Sequence, residues 1–303
     1  MPITLKYAVK LLKMSGSTEG QGDTPDARPV TGKGAAKPAL PLTVLERYAD
    51  LGDEEFEYNM KHKSRGVAVI INNDKFDTQL QMNDRPGSSV DRDKLAGTLQ
   101  FIGFKDIIVH NNLTSRKMVD VLKEVAKRDF TDSDCVFVAL LSHGDEGVIY
   151  GTDGPVQYEQ IFSLFKPPEV NKSLVGKPKI FLIQACRGQT LDGGVEFQCD
   201  SLPAKSNKPK RYVISKESDF LVAYSTVEGY FAWRNGVDGS WFIQSFCTVV
   251  NKDGRKLELG QLLTRVNRVV SYNFMSSTQN PQMNQMKQSP CITSTLTKSI
   301  YFN

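Results

Sequence analysis

Five apolar runs of strand length recur along the chain, with helix-like segments between and after them, and this alternation limits the fold more than any other feature. The runs span residues 67–71, 107–109, 136–141, 180–183 and 220–224. They are near-continuous rather than alternating in polarity, as strands buried on both faces must be. The helix-like segments span 90–101, 115–128, 158–165, 240–250 and 257–274. In the second of these, Met118, Val121, Leu122 and Val125 fall at helical spacing behind a cap at Thr114 or Ser115. The pattern predicts an α/β fold, a mainly parallel sheet with helices on both faces.

Two stretches break the pattern. The segment "SGSTEGQGDTPDARPVTGKGAAKPALP", from Ser15, is rich in Gly, Pro, Ser and Thr and has no apolar period. Residues 1–55 are therefore expected to form a disordered leader and 56–303 the folded domain. The second break, "LDGGVEFQCDSLPAKSNKPKRY" at 191–212, carries paired glycines, two prolines and basic Lys208, Lys210 and Arg211. It lies between two convincing strands, so it reads as a long exposed loop inside one domain. A net charge of +4 is too small to point to nucleic acid or a membrane surface. No apolar run approaches the roughly 18 residues of a membrane helix. Five cysteines, an odd number with no CxxC pair, suit a reducing, cytoplasmic setting rather than a disulfide scaffold.

Two strands end in reactive residues. The run through Leu141 leads to His143, and the run through Ile183 leads to Cys186. Ligands in open α/β sheets sit beyond the carboxyl ends of the strands. Neighbouring parallel strands would bring imidazole and thiol side by side, where the imidazole can take or share the thiol proton. Gly144 and Gly188 follow closely and leave backbone N–H groups free for an oxyanion. The remaining candidates read more plainly. Cys135, Cys247 and Cys291 are expected in the core, Cys199 in the loop, and His62 and His110 at the surface or at strand ends. No CxxC or HExxH pattern supports a zinc site, and neither a metal nor a cofactor is expected.

"QACRG" at 184–188 with "SHG" at 142–144 resembles the signature of the caspase family. The likeness extends in register from about residue 56 to 303, through "IINNDKF" (70–76), "DFLVAYST" (219–226), "WRNGVDGSWFIQ" (233–244), "LLTRVNRVV" (262–270) and "TKSIYF" (297–302). It is nearest to the executioner type with a short prodomain. The resemblance implies a caspase-like fold whose sheet of about six strands continues across a dimer. It also implies an aspartate-specific cysteine endopeptidase, made as a zymogen and acting in apoptosis. Cys186 would be the nucleophile, His143 the general acid and base, and the N–H groups of Gly144 and Cys186 the oxyanion hole. Arg85, Arg234 and Gln184 would bind the substrate aspartate, since guanidinium forks match a carboxylate. Phe231, Trp233 and Trp241 would line neighbouring subsites, and Asn235 would contact an acidic fourth residue. Arg187 would have a structural role.

The resemblance gives the loop at 191–212 a purpose. Cleavage after Asp200 would separate a large subunit (27–200) from a small one (201–303), with Asp192 a second candidate. Cleavage after Asp26 in "DTPD" would remove the leader. The implied partners are an upstream initiator protease, inhibitor-of-apoptosis proteins and a second copy meeting it along the strand at 291–297. Several positions depart from the family pattern. Phe231-Ala232 replaces a common Tyr-Ser, Pro86 follows Arg85, Ser89 stands where aspartate is common, and 275–285 lacks aromatic residues. Two other readings stay open: a catalytically silent relative, and a peptidase of the same fold cutting after lysine or arginine.

Overall fold

The computed structural model describes residues 52, 55–166, 171–188, 190–192, 215 and 217–303. Asp26, Cys199, Asp200 and the basic cluster of the long loop lie outside the described residues, as do nearly all of the expected leader and linker.

Strands β1 (Ser64–Asn72), β2 (Asp106–Asn111), β3 (Ser133–Leu141), β7 (Lys179–Gln184), β8 (Phe220–Tyr224) and β11 (Cys291–Ser294) form one sheet in the order β11-β8-β7-β3-β1-β2. Every pairing is parallel except that of the edge strand β11 with β8. The expected α/β sheet of six strands is therefore present. A small antiparallel sheet of β4 (Gly144–Asp145), β5 (Val148–Tyr150) and β6 (Pro155–Gln157) and a two-stranded ribbon of β9 (Arg234–Asn235) and β10 (Gly239–Ser240) were not anticipated.

Among the described residues the α-helices are α1 (Ser88–Phe101), α2 (Ser115–Ala126), α3 (Tyr158–Ser163), α4 (Trp241–Asp253) and α5 (Leu259–Asn273). Alternate residues of each central strand point to opposite faces. Ala68, Ile70, Phe137 and Leu182 therefore pack with Leu95, Leu99, Phe246, Leu262 and Val266 of α1, α4 and α5. Val67, Val69, Val138 and Phe181 pack with Met118, Leu122, Val125 and Ile161 of α2 and α3. Both neighbours of each strand residue are thus buried, which is why the runs read as continuous. Thr114 caps α2 by accepting from the Lys117 N–H at 3.3 Å, as its sequence predicts. Glu258 caps α5 in the same way, so that helix starts at Leu259 rather than at 257. No helix among the described residues is long and apolar enough to cross a membrane.

Candidate active site

Parallel pairing of β3 with β7 places Leu141 opposite Gln184. The segments carrying His143 and Cys186 therefore leave the sheet at the same end, side by side. Ser142 fastens the junction: its N–H donates to the Gln184 carbonyl at 3.1 Å and its hydroxyl donates to the Tyr150 carbonyl at 2.6 Å. Gly144 permits the close approach, since a Cβ there would lie 2.7 Å from the Cys186 carbonyl oxygen. Gly188 (φ +143°) is similarly confined, with Gly229 backbone atoms 2.5 Å from where its Cβ would sit.

The His143 Nε2 lies 2.8 Å from the Asn83 carbonyl oxygen, and its ring sits 4.7 Å from that of Phe76. A carbonyl only accepts, so Nε2 carries the hydrogen and Nδ1 is the nitrogen left to take a proton from the neutral ring. Burial lowers the imidazole pKa; the bond to Asn83 opposes this, and Arg85 and Arg234 add to it. Burial raises the Cys186 pKa, against a hydrogen bond from Ala232 and the same two arginines. The thiol leans toward Ala232, whose N–H lies 3.4 Å from Sγ. Thiol and imidazole follow the same ends of adjacent strands, and no hydrogen bond joins them among the described residues.

Arg85 is buried and donates through Nη1 to the Asn73 carbonyl (2.8 Å) and the Ser88 hydroxyl (2.7 Å). Desolvation, followed by repulsion from Arg234, brings its pKa down to about 9. Arg234 donates through Nε to the Pro86 carbonyl at 2.8 Å, and burial lowers its pKa as well. Neither arginine makes an ion pair with a carboxylate among the described residues. Both influence Cys186 and His143 electrostatically, so the four expected residues converge. Gln184, two residues before Cys186 at the end of β7, is buried, its Oε1 without a partner among the described residues.

Trp233 and Trp241 stack at 5.7 Å, and Trp241 stacks on Phe274 at 5.3 Å. Gln288 anchors this strip, accepting from the Trp233 N–H at 2.6 Å. Phe231 is half-buried next to Ala232, its N–H bonded to the Thr190 carbonyl. The exposed Asn235 uses Oδ1 to accept from Val237 and Asp238 N–H groups, and the donor end of its amide has no partner among the described residues. Arg187 stacks on Tyr224 at 4.0 Å and pairs with Glu228 at 3.0 Å, a structural placement as expected. Cys135 and Cys247 are core residues, whereas Cys291 is half-buried on the edge strand. Sequence reasoning missed Asn83, Phe274, Gln288 and Asp91. Asn83 contributes only a backbone carbonyl, which leaves no trace in residue type, and the other three read as ordinary helix or loop positions.

The family described as Caspase domain matches residues 65–301. Caspase-7 of Gallus gallus is 41% identical over 299 residues, covering 94% of this chain and 96% of that protein. Caspase drICE of Drosophila melanogaster is 40% identical over 248 residues, 82% of this chain and 72% of that one. The crystal structure of caspase-1 from Spodoptera frugiperda superposes with a TM-score of 0.75 at 38% identity, covering 82% of this chain and 95% of that one. With the fold, the strand-end thiol and imidazole, and these likenesses all in agreement, the chain belongs to the caspase family.

Proposed function

We propose that Cys186 is the nucleophile and His143 the acid and base of an aspartate-specific cysteine endopeptidase of the executioner type. The protease activity follows from membership of the family; the residue roles rest on the geometry. One observation carries the reading. Two guanidinium groups, Arg85 and Arg234, are desolvated beside the thiol and form no direct ion pair with a carboxylate among the described residues. Desolvating two cations whose donors touch no carboxylate is costly, so a site built this way suits an anionic ligand, and the side chain of a substrate aspartate supplies one.

Cys186 Sγ attacks the scissile carbonyl carbon while His143 Nδ1 takes the thiol proton. The oxygen that becomes negative is met by the N–H groups of Gly144 and Cys186. The C–N bond then breaks, the leaving amine takes the proton from His143, and a thioester remains. Water, deprotonated by the same imidazole, cleaves the thioester and returns the thiol. Phe231, Trp233 and Trp241 line the groove beyond the pocket, and the donor end of Asn235 suits an acidic fourth residue.

In this reading the chain is a zymogen cut after Asp200, with Asp26 the site of leader removal. An upstream initiator protease makes the first cut, the outer edge of β11 pairs with a second copy, and inhibitor-of-apoptosis proteins restrain the cytoplasmic enzyme. The test compares two tetrapeptide reporters ending in aspartate or asparagine, with the chain and its Cys186→Ala variant. The expected outcome is cleavage of the aspartate reporter alone, abolished in the variant. No cleavage by chain that terminal sequencing shows to be cut after Asp200 would overturn the proposal.

A further inference from the structure

We infer that Asp91 is a positioning residue for the aspartate pocket: from within α1 it holds the ribbon that carries Arg234 and serves as shared counter-ion to Arg234 and Arg85. The inference rests on reading those two arginines as the pocket.

Asp91 is fully buried in the first turn of α1, where the helix dipole favours a negative charge. Both of its carboxylate oxygens accept from the Ser240 N–H, at 2.8 and 3.1 Å. Ser240 is the residue paired with Arg234 across the β9–β10 ribbon, and its hydroxyl caps α4 by accepting from the Ile243 N–H. The contact is close enough to require glycine next to it. Gly239 has φ +96°, and a Cβ there would lie 2.2 Å from Asp91 Oδ1. Lys94, one turn further along α1, donates to the Asp238 carbonyl at 3.0 Å and holds the same ribbon at its tip.

Arg85 is tied to the same helix, bonding the hydroxyl of its first residue, Ser88. The supports of both guanidinium groups therefore run through one turn of α1. Electrostatics points the same way. Arg85 is a buried cation and Arg234 a half-buried one; like charges disfavour each other, and Asp91 is the carboxylate that counters the penalty at both. It does so without forming an ion pair with either among the described residues. The guanidinium groups stay charged while their donors remain available to a substrate carboxylate. An acidic residue in direct contact would occupy those donors.

The test uses Asp91→Asn, which keeps the shape and an acceptor for the Ser240 N–H but removes the charge. The expected result for the aspartate reporter is a KM raised about tenfold or more with kcat within about threefold of wild type. The rate at which iodoacetamide alkylates Cys186, a reaction that does not use the pocket, stays unchanged. Gly239→Ala pushes on the same carboxylate from the ribbon side and is expected to give the same split. It decides alone if the Asn variant does not fold. A wild-type KM in the folded Asn variant, or kcat, alkylation rate and melting temperature all falling together, would overturn the inference. Arg85→Gln and Arg234→Gln run in parallel separate the two readings. If they keep the preference for aspartate, the pocket itself is misassigned. If they lose it while Asp91→Asn does not, only the role of Asp91 falls.

Discussion

At the scale of single residues the site is set by desolvation. Burial raises the Cys186 pKa and lowers that of His143; both arginines disfavour the imidazolium further while favouring the thiolate. Burial is the largest influence on each group, so near pH 7 the resting pair is a neutral thiol beside a neutral imidazole. Iodoacetamide reacts with the thiolate. Its rate of alkylation at Cys186 is therefore expected to climb with pH through about 8.5, the ordinary cysteine value, and beyond it. An inflection below about pH 7 would instead reveal a thiolate–imidazolium pair and contradict this picture. Cys186 and His143 were both legible in the sequence, because each ends an apolar run. The carbonyl of Asn83 that orients the imidazole was not, since every residue has one.

At the scale of elements, local pattern was a sound guide where it was long enough. The five apolar runs are the five parallel strands, and the helix-like segments are α1 to α5 with ends shifted by a few residues. Thr114 shows why the ends were partly readable: a hydroxyl that accepts from an N–H three residues on is a local event. Thr114→Ala is expected to cost about 1 kcal/mol of stability, measured by denaturant unfolding with an unchanged slope. Strands β4, β5, β6, β9 and β10 span only two or three residues each, too few to show any period. Their existence depends on pairing across a turn. The strand expected over 291–297 stops at Ser294, and beyond it Thr295 bonds Phe220 and Glu217 while Thr297 bonds Tyr58 and Asp219.

At the scale of the molecule, one cluster around the buried Asp219 joins distant parts of the chain at the sheet end away from Cys186. The Tyr58 hydroxyl donates to Asp219 Oδ1 at 2.6 Å, the Thr297 hydroxyl donates to the same atom at 2.8 Å, and Lys179 Nζ lies 3.8 Å from Oδ2. Burial brings the Lys179 pKa down to about 8, against the pull of Asp219. Asp219 itself adopts φ +70°, a conformation that asparagine tolerates well. Asp219→Asn therefore removes the charge without new backbone strain and leaves Lys179 uncompensated. The expected loss is about 3 kcal/mol of unfolding free energy, and an unchanged transition would show that the cluster contributes nothing net. By itself, the sequence determined the alternation of strands and helices, the burial of both sheet faces, and which thiol and imidazole stand at strand ends. Periodicity and chain order within a βαβ unit are local, and they need no knowledge of the remainder. Only the tertiary structure decided that residues 85, 91 and 234 converge near the thiol. Their convergence depends on the order in which the strands pair and on a ribbon folding back over α1, contacts between segments far apart in the chain. A lone arginine or aspartate looks the same in sequence whether it faces water or is buried beside the thiol.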